Sequence, residues 1–428
     1  MDREHPVTGG PVSGAPAAGG TGRAGTAVLA LALAAFCFGT TENLPIGLLP
    51  LIADDLDVSP SAVGLLVTGY GIVVAVVSVP LVRMTVRMGR RPLLTGVMAV
   101  FIVMSFAAAA APGYGTLFGT RLVTALGQAV FWPVAVVAAA GLMPPEARGR
   151  AGAYVFAGGS LAIVLGVPAG TWLGRAAGWR VSFAALGVLC LVSLAALAVL
   201  LPGGRASGRD PVPASDPDAR RFRLLVVMIM LLVGGFFTAF TYITEFLTDV
   251  SGFSGAAISP LLLVNGVADI AGVVIAGIVV DRGPRALAAG SAAVLVIALV
   301  GLFALGTAAV PAVAMLVLLG VGIPGAVTAF QARVMESAPG DTDIASAWTS
   351  AAFNVGIAGG ALLGGALLPL AGVRATPLAG GAVAAAALAV ILLDRPPRAR
   401  GPAVPGTASI IRTLHPSEDD GTVRGQDH

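Results

Sequence analysis

The chain has 428 residues, of which 57% are apolar and only 11% charged, with a mean hydropathy of +0.92. Ordinary soluble domains carry about 25% charge, so a water-soluble globule is excluded and a polytopic membrane protein is indicated. The formal charge is +3, and the 25 basic residues, all Arg, are scattered between apolar runs instead of forming a patch suited to nucleic acid.

A bilayer core takes about 20 apolar residues per helix. Runs of that kind fall at 26–50, 61–82, 92–111, 115–142, 151–173, 180–201, 224–247, 258–280, 286–306, 310–334, 344–368 and 375–393, which makes twelve expected spans. No alternating pattern accompanies them, which excludes a transmembrane β-barrel. The expected fold class is therefore an all-α polytopic membrane protein with twelve transmembrane helices in two pseudo-symmetric six-helix bundles. Residues 1–25 form a Gly/Pro/Ala-rich stretch without the layout of a signal peptide, and are expected to be a disordered cytoplasmic tail. The two bundles are expected at 26–201 and 224–393. Between them lies PGGRASGRDPVPASDPDARRFR, a cytoplasmic linker at 202–223. Beyond it all, 394–428 reads as a second disordered tail.

Arg placement orients the chain. With both termini in the cytoplasm, 21 Arg lie on inner segments and only Arg175, Arg180 and Arg374 on outer ones, with Arg121 inside a span. This bias predicts a multi-pass protein of the cell membrane with both termini cytoplasmic.

The two halves repeat each other. MTVRMGRRPLL (84–94) and GIVVDRGPRAL (277–287) follow the second span of each half. PPEARGRA (144–151) matches PGDTDIASA (339–347), and each is followed by a Gly-rich helix. A parallel duplication of a six-helix unit explains the pattern.

Six stretches carry a resemblance: GTTENLPIGLLP (39–50), VPLVRMTVRMGRRPLL (79–94), RLVTALGQAVFW (121–132), GVPAGTWLG with GWR (166–180), TYITEFLTDVSGFS (241–254), and SAPGDTDIASAWTSAAFNVGIAGGALLGG (337–365). Together they resemble the major facilitator superfamily along the whole transmembrane length. Within its proton-coupled efflux branch they are similar to the bacterial sugar efflux transporters. The resemblance implies a cytoplasmic gate at Arg87, Gly89, Arg90 and Arg91, answered in the second half by Asp281 and Arg282. The family's Asp and first Gly at the first turn are Val86 and Val82 here, so the implied salt-bridge latch rests on the second half. The family's Gly-Pro dipeptide in the fifth span is split by Val167. Gly166, Pro168 and Gly170 remain as bending and close-packing residues.

Four ionisable residues fall inside expected spans: Glu42, Arg121, Glu245 and Asp269. Each such group is costly in lipid, so it faces a cavity or a partner and is a functional candidate. Helical spacing aligns Arg121 with Thr124, Gln128 and Trp132. It pairs Asn265 with Asp269 and Ser350 with Asn354. Polar stripes on several helices imply one shared interior surface. Glu42 and Arg121 are the candidates for proton coupling. Gln128, Trp132, Asn265, Asp269 and Asn354 are the candidates for a substrate cavity.

Without Lys no Gly-x-x-x-x-Gly-Lys-Ser/Thr phosphate loop exists, so ATP cannot drive this chain alone. The His residues (5, 415 and 428) lie in the tails and no catalytic or metal-ligand constellation appears, which argues against an enzyme. Cys37 and Cys190 sit in apolar runs, so neither disulfide, metal nor cofactor is expected. A channel needs a selectivity ring, whereas duplicated halves suit a monomeric rocking carrier. The expectation is a carrier that exports a small hydroxylated or amphipathic molecule, sugar or sugar-like, in exchange for protons. Drug or antibiotic efflux is the alternative.

Overall fold

The computed structural model describes residues 19–85, 88–143, 148–201, 218–280, 283–337 and 342–394. In chain order the elements are α1 (Gly19–Leu56), α2 (Pro60–Thr85), α3 (Arg90–Ala109), α4 (Tyr114–Leu142), α5 (Arg148–Leu161), a π-helical turn (Ala162–Gly166), α6 (Val167–Ala177), α7 (Trp179–Leu200), α8 (Ala219–Phe240), α9 (Ile243–Asp249), α10 (Gly255–Val279), α11 (Pro284–Leu305), α12 (Ala309–Ser337), α13 (Thr342–Ala371) and α14 (Ala375–Leu393). Among the described residues, twelve stretches are long and apolar enough to cross a membrane, one for each expected run. The spans fall in one compact unit that ends at Leu392; of the second unit, Leu393–His428, only Leu393 and Asp394 are described.

Four details differ from the sequence reading. Helix α1 starts at Gly19, inside the stretch expected to be unstructured, and runs to Leu56. Asp54 and Asp55 therefore finish its last turn instead of lying in a loop, and Asp57 follows with a φ of 51°. Helix α8 starts at Ala219, ahead of the expected 224, because the Asp218 carboxylate caps it by accepting from the N–H groups of Arg220 and Arg221 (2.9 and 3.1 Å). The seventh span is two helices, α8 and α9, broken at Thr241 and Tyr242, and the fifth contains the π turn between α5 and α6.

Proline placement explains much of how the spans join. A helical proline has no N–H for the carbonyl four residues earlier, and that carbonyl needs another donor inside a membrane. Pro45 and Pro50 lie within α1 and Pro369 within α13. The carbonyls they leave open are those of Thr41, Ile46 and Gly365. Each receives a hydrogen bond from a different span: Arg121 Nη1 to Thr41 (2.7 Å), Thr244 Oγ1 to Ile46 (3.0 Å) and Ser61 Oγ to Gly365 (2.8 Å).

The first six spans meet the last six along α2 with α13, α6 and the π turn with α10, and α1 with α9. The Thr244 and Ser61 bonds lie in this seam, at the end of the bundle away from the chain termini, here called the distal face. Tyr242 fills the same place. Its hydroxyl donates to the Ala361 carbonyl (2.9 Å), and its ring lies so close to Gly64 and Gly364 that a Cβ on either would overlap it. Large apolar side chains such as Val76 and Leu370 point outward, as expected for surfaces that face lipid.

Candidate functional site

The site grows from α1, α2 and α4. Phe38 anchors α1 by stacking on Phe131 of α4 (4.5 Å) and meeting Phe101 of α3 edge-on (4.6 Å), which fixes the face that the next turn presents. On that turn the open Thr41 carbonyl draws the Arg121 guanidinium, which also donates to Thr41 Oγ1 (3.0 Å) and to the Glu42 carbonyl (3.3 Å). Arg121 is 2% exposed. The Tyr70 ring of α2 covers its charge at 4.4 Å, a cation–π contact strengthened by the lack of water.

The Glu42 side chain is held separately. Gln128 Nε2 donates to Glu42 Oε2 (2.8 Å), and the Tyr70 hydroxyl donates to Gln128 Oε1 (2.6 Å). From donor to acceptor the chain therefore runs tyrosine, amide, carboxyl, with the carboxyl as the final acceptor. Among the described residues no ion pair joins Glu42 to Arg121; the guanidinium is occupied by backbone carbonyls and a hydroxyl. The carboxyl is thus positioned by a neutral amide, with a fixed positive charge nearby but no charge locked onto it.

The other candidates are distributed as follows. Trp132 continues the Gln128 stripe, stacks on Phe156 (6.0 Å) and stands against Gly159 of α5. Asn265 is buried and its amide donates to the Leu316 carbonyl of α12 (2.9 Å), which commits it to joining two helices. Asp269 is buried on α10. Asn354 donates to Ser350 of its own helix (3.0 Å), while its buried Oδ1 has no partner among the described residues. Gly89 precedes α3, and Arg90 Nη1 reaches the Val137 carbonyl near the end of α4 (3.2 Å). Arg91 opens α3 beside Arg90. Arg87, Asp281 and Arg282 lie outside the described residues. Gly166 and Gly170 pack on Thr40 and Leu44 of α1, and Pro168 sits in the first turn of α6. Glu245 is half-buried in α9, where its Oε2 lacks a partner among the described residues.

Several participants escaped the sequence reading. Tyr70 carries no motif, although it orders both Gln128 and Arg121. Thr41 has one signal in the sequence, Pro45 four residues on, which leaves its carbonyl open. Arg333, assigned to the inner surface, is 1% exposed near the end of α12. An apolar cleft of about 230 Å³ between α10, α11 and α12 offers Ser291 as its one hydroxyl and lies apart from this polar cluster.

Twelve spans joined around buried polar residues define a polytopic helical membrane protein. The chain belongs to the Major Facilitator Superfamily, whose profile matches residues 31–343. It is 34% identical over 366 residues to the uncharacterized MFS-type transporter YtbD of Bacillus subtilis (strain 168), covering 83% of this chain and 91% of that protein. It is 33% identical over 339 residues to a probable sugar efflux transporter of Mannheimia succiniciproducens, covering 79% and 85%. Over 370 residues it is 33% identical to the inner membrane transport protein YdhP of Escherichia coli (strain K12), covering 86% and 95%. Among solved structures, a bacterial homologue of the human lysosomal transporter Spinster, inward-facing and unoccupied, matches with a TM-score of 0.68 at 15% identity, over 89% of this chain and 97% of that one. The human organic anion transporter MFSD10 matches with a TM-score of 0.64, also at 15%, over 88% and 100%. The protein is a multi-pass membrane transporter and not an enzyme.

Proposed function

We propose that this transporter exports a small hydroxylated or amphipathic molecule, of the sugar or sugar-like class, in exchange for protons, and that Glu42 carries the proton. The observation that supports this reading is the division of labour around Glu42. Arg121 is engaged by the Thr41 carbonyl that Pro45 leaves open, by the Thr41 hydroxyl and by the Glu42 carbonyl, while among the described residues Gln128 holds the carboxyl by a neutral hydrogen bond. A carboxyl held in this way is stable with or without its proton, because the amide donor serves either form. Shielding from water favours the neutral form and return of water favours release, which is the cycle an antiporter needs. Arg121 sets the field in which the exchange takes place. Trp132 and the free Oδ1 of Asn354 are the groups available to a hydroxylated substrate. The relative named as a probable sugar efflux transporter supports the sugar class. The Arg bias supports cytoplasmic termini, with residues 26–201 and 224–393 as the two rocking halves and the Arg90 region as the cytoplasmic gate.

The test is counterflow in proteoliposomes. Glu42→Gln keeps the hydrogen-bonding length of the side chain, so it should reconstitute normally. It should retain substrate exchange down a concentration gradient while losing proton-driven accumulation by tenfold or more. Full gradient-driven transport by Glu42→Gln would sink the proposal. A panel of sugars, sugar analogues and amphiphilic drugs run on the wild-type protein decides the substrate class.

A further inference from the structure

Asp269 stands out as the buried carboxyl without any partner. It is 6% exposed, and no hydrogen bond or ion pair to any other described residue reaches it. Its position on α10 is central to the buried face. Asn265, one turn earlier, bonds to α12; Gly266 packs against the π turn at Val164; Gly272, one turn later, packs against Val321 of α12. Side chains three and four apart share a face, so Asp269 points into the crevice between α12 and the fifth span. Val267 and Val274 take the opposite, outward side.

Among the described residues, the elements packed on α10 bring no counter-charge to this place. On α12 the charged residue with a described side chain is Arg333, more than three turns beyond the level of Gly320 and Val321, which pack on this part of α10. The fifth span offers Tyr154 and Arg175 toward its two ends. Helix α1 offers Glu42, Asp54 and Asp55, α9 offers Glu245 and Asp249, and α11 offers Arg285 at its start. None of these bonds to Asp269. An ionised carboxylate with neither donor nor cation in a membrane interior is strongly disfavoured, and the neutral acid is the form that needs no partner.

Depth gives this group its meaning. Leu262 of α10 packs against Gly47 of α1. From that contact Glu42 lies five residues, and Asp269 seven, toward the end where the termini lie. At about 1.5 Å per residue the two carboxyls differ in depth by only about 3 Å, one on each set of six spans.

We propose that Asp269 is a second exchangeable-proton site: a carboxylic acid in this conformation that releases its proton to water, as carboxylate, when the seam between α10 and the fifth span opens. This goes beyond the role of Glu42 and does not depend on it. Where Glu42 has the role proposed above, two carboxyls at one depth give the carrier two protons per cycle, one from each half.

Isotope-edited infrared spectroscopy of the full chain in nanodiscs at neutral pH tests this directly. Protein labelled with carboxyl-¹³C aspartate should show a neutral-carboxyl band shifted relative to unlabelled protein, and Asp269→Asn should lose that band completely. Asp269→Glu should move the band to the glutamate-labelled set, which covers the case in which the Asn variant does not fold. A neutral band that shifts only with labelled glutamate, or no such band, overturns the proposal for Asp269. Loss of a glutamate band in Glu42→Gln bears separately on the role of Glu42.

Discussion

At Thr41 one missing hydrogen organises the site. Pro45 cannot donate to the Thr41 carbonyl, Arg121 takes that place from α4, and the guanidinium is thereby aimed at backbone and drawn under Tyr70. The same ring carries the hydroxyl that fixes Gln128, so Tyr70 supports charge and amide together. Tyr70→Phe should keep the cation–π contact yet leave Gln128 Oε1 buried without its donor, a loss of about 1–3 kcal/mol. Thermal unfolding in detergent should show the lower midpoint, and the pH profile of counterflow should shift because Gln128 no longer has one orientation. At this scale the sequence told only part. Glu42 and Arg121 were visible because a charge in an apolar run is conspicuous. Tyr70 was not, since a tyrosine among apolar residues looks like core until its neighbours from other spans are known. Asn265 shows the converse: spacing placed it on the interior stripe of α10, but only the fold reveals that its amide is committed to Leu316.

Among the elements, the fifth span depends on small residues at 158, 162, 166, 170 and 174, which pack along α1 from Ala32 to Leu48. A repeat of four drifts by about 40° at each step of an α-helix with 3.6 residues per turn, so a regular helix would carry Gly174 well off the face shared by Gly158. The wider π turn at Ala162–Gly166 absorbs that drift and returns both ends of the span to α1. The glycine spacing was plain in the sequence; the π turn was not, because it answers a packing demand of α1 and not a local preference. Gly158→Ala should be the most damaging single methyl in the span, since its Cβ would overlap the Ala32 carbonyl oxygen, backbone that cannot rotate away. A cost of about 1–3 kcal/mol is expected from such overpacking, read as a lower unfolding temperature in nanodiscs.

For the whole molecule, the distal seam is joined by exchange. The first six spans give the Ser61 hydroxyl and the Ile46 carbonyl, and the last six give the Thr244 hydroxyl and the Gly365 carbonyl. Two prolines, Pro50 and Pro369, make those carbonyls available. Removing both hydroxyls, as Ser61→Ala with Thr244→Val, should weaken closure without altering either half. Spin labels at the exposed positions Asp57 and Asp249 should report one short distance in the wild-type protein and a longer, broader distribution in the double variant. An unchanged distribution would show that apolar contact at Tyr242 suffices. Twelve apolar runs made the spans legible from hydropathy alone, whereas the partners across the seam were not, because they are more than a hundred residues apart in the chain.

A joint of this kind also acts as an insulator. Tyr242 and Thr244 are wholly buried at the distal face, and the two carbonyls that proline opens there, those of Ile46 and Gly365, are each matched by a hydroxyl and so do not need a water molecule. A chain of waters through the protein would let protons cross without cargo and dissipate the gradient. In the proposed proton exchange, closing these carbonyls helps to confine a proton held at mid-depth to one bulk phase, a barrier against short circuit that begins at two prolines.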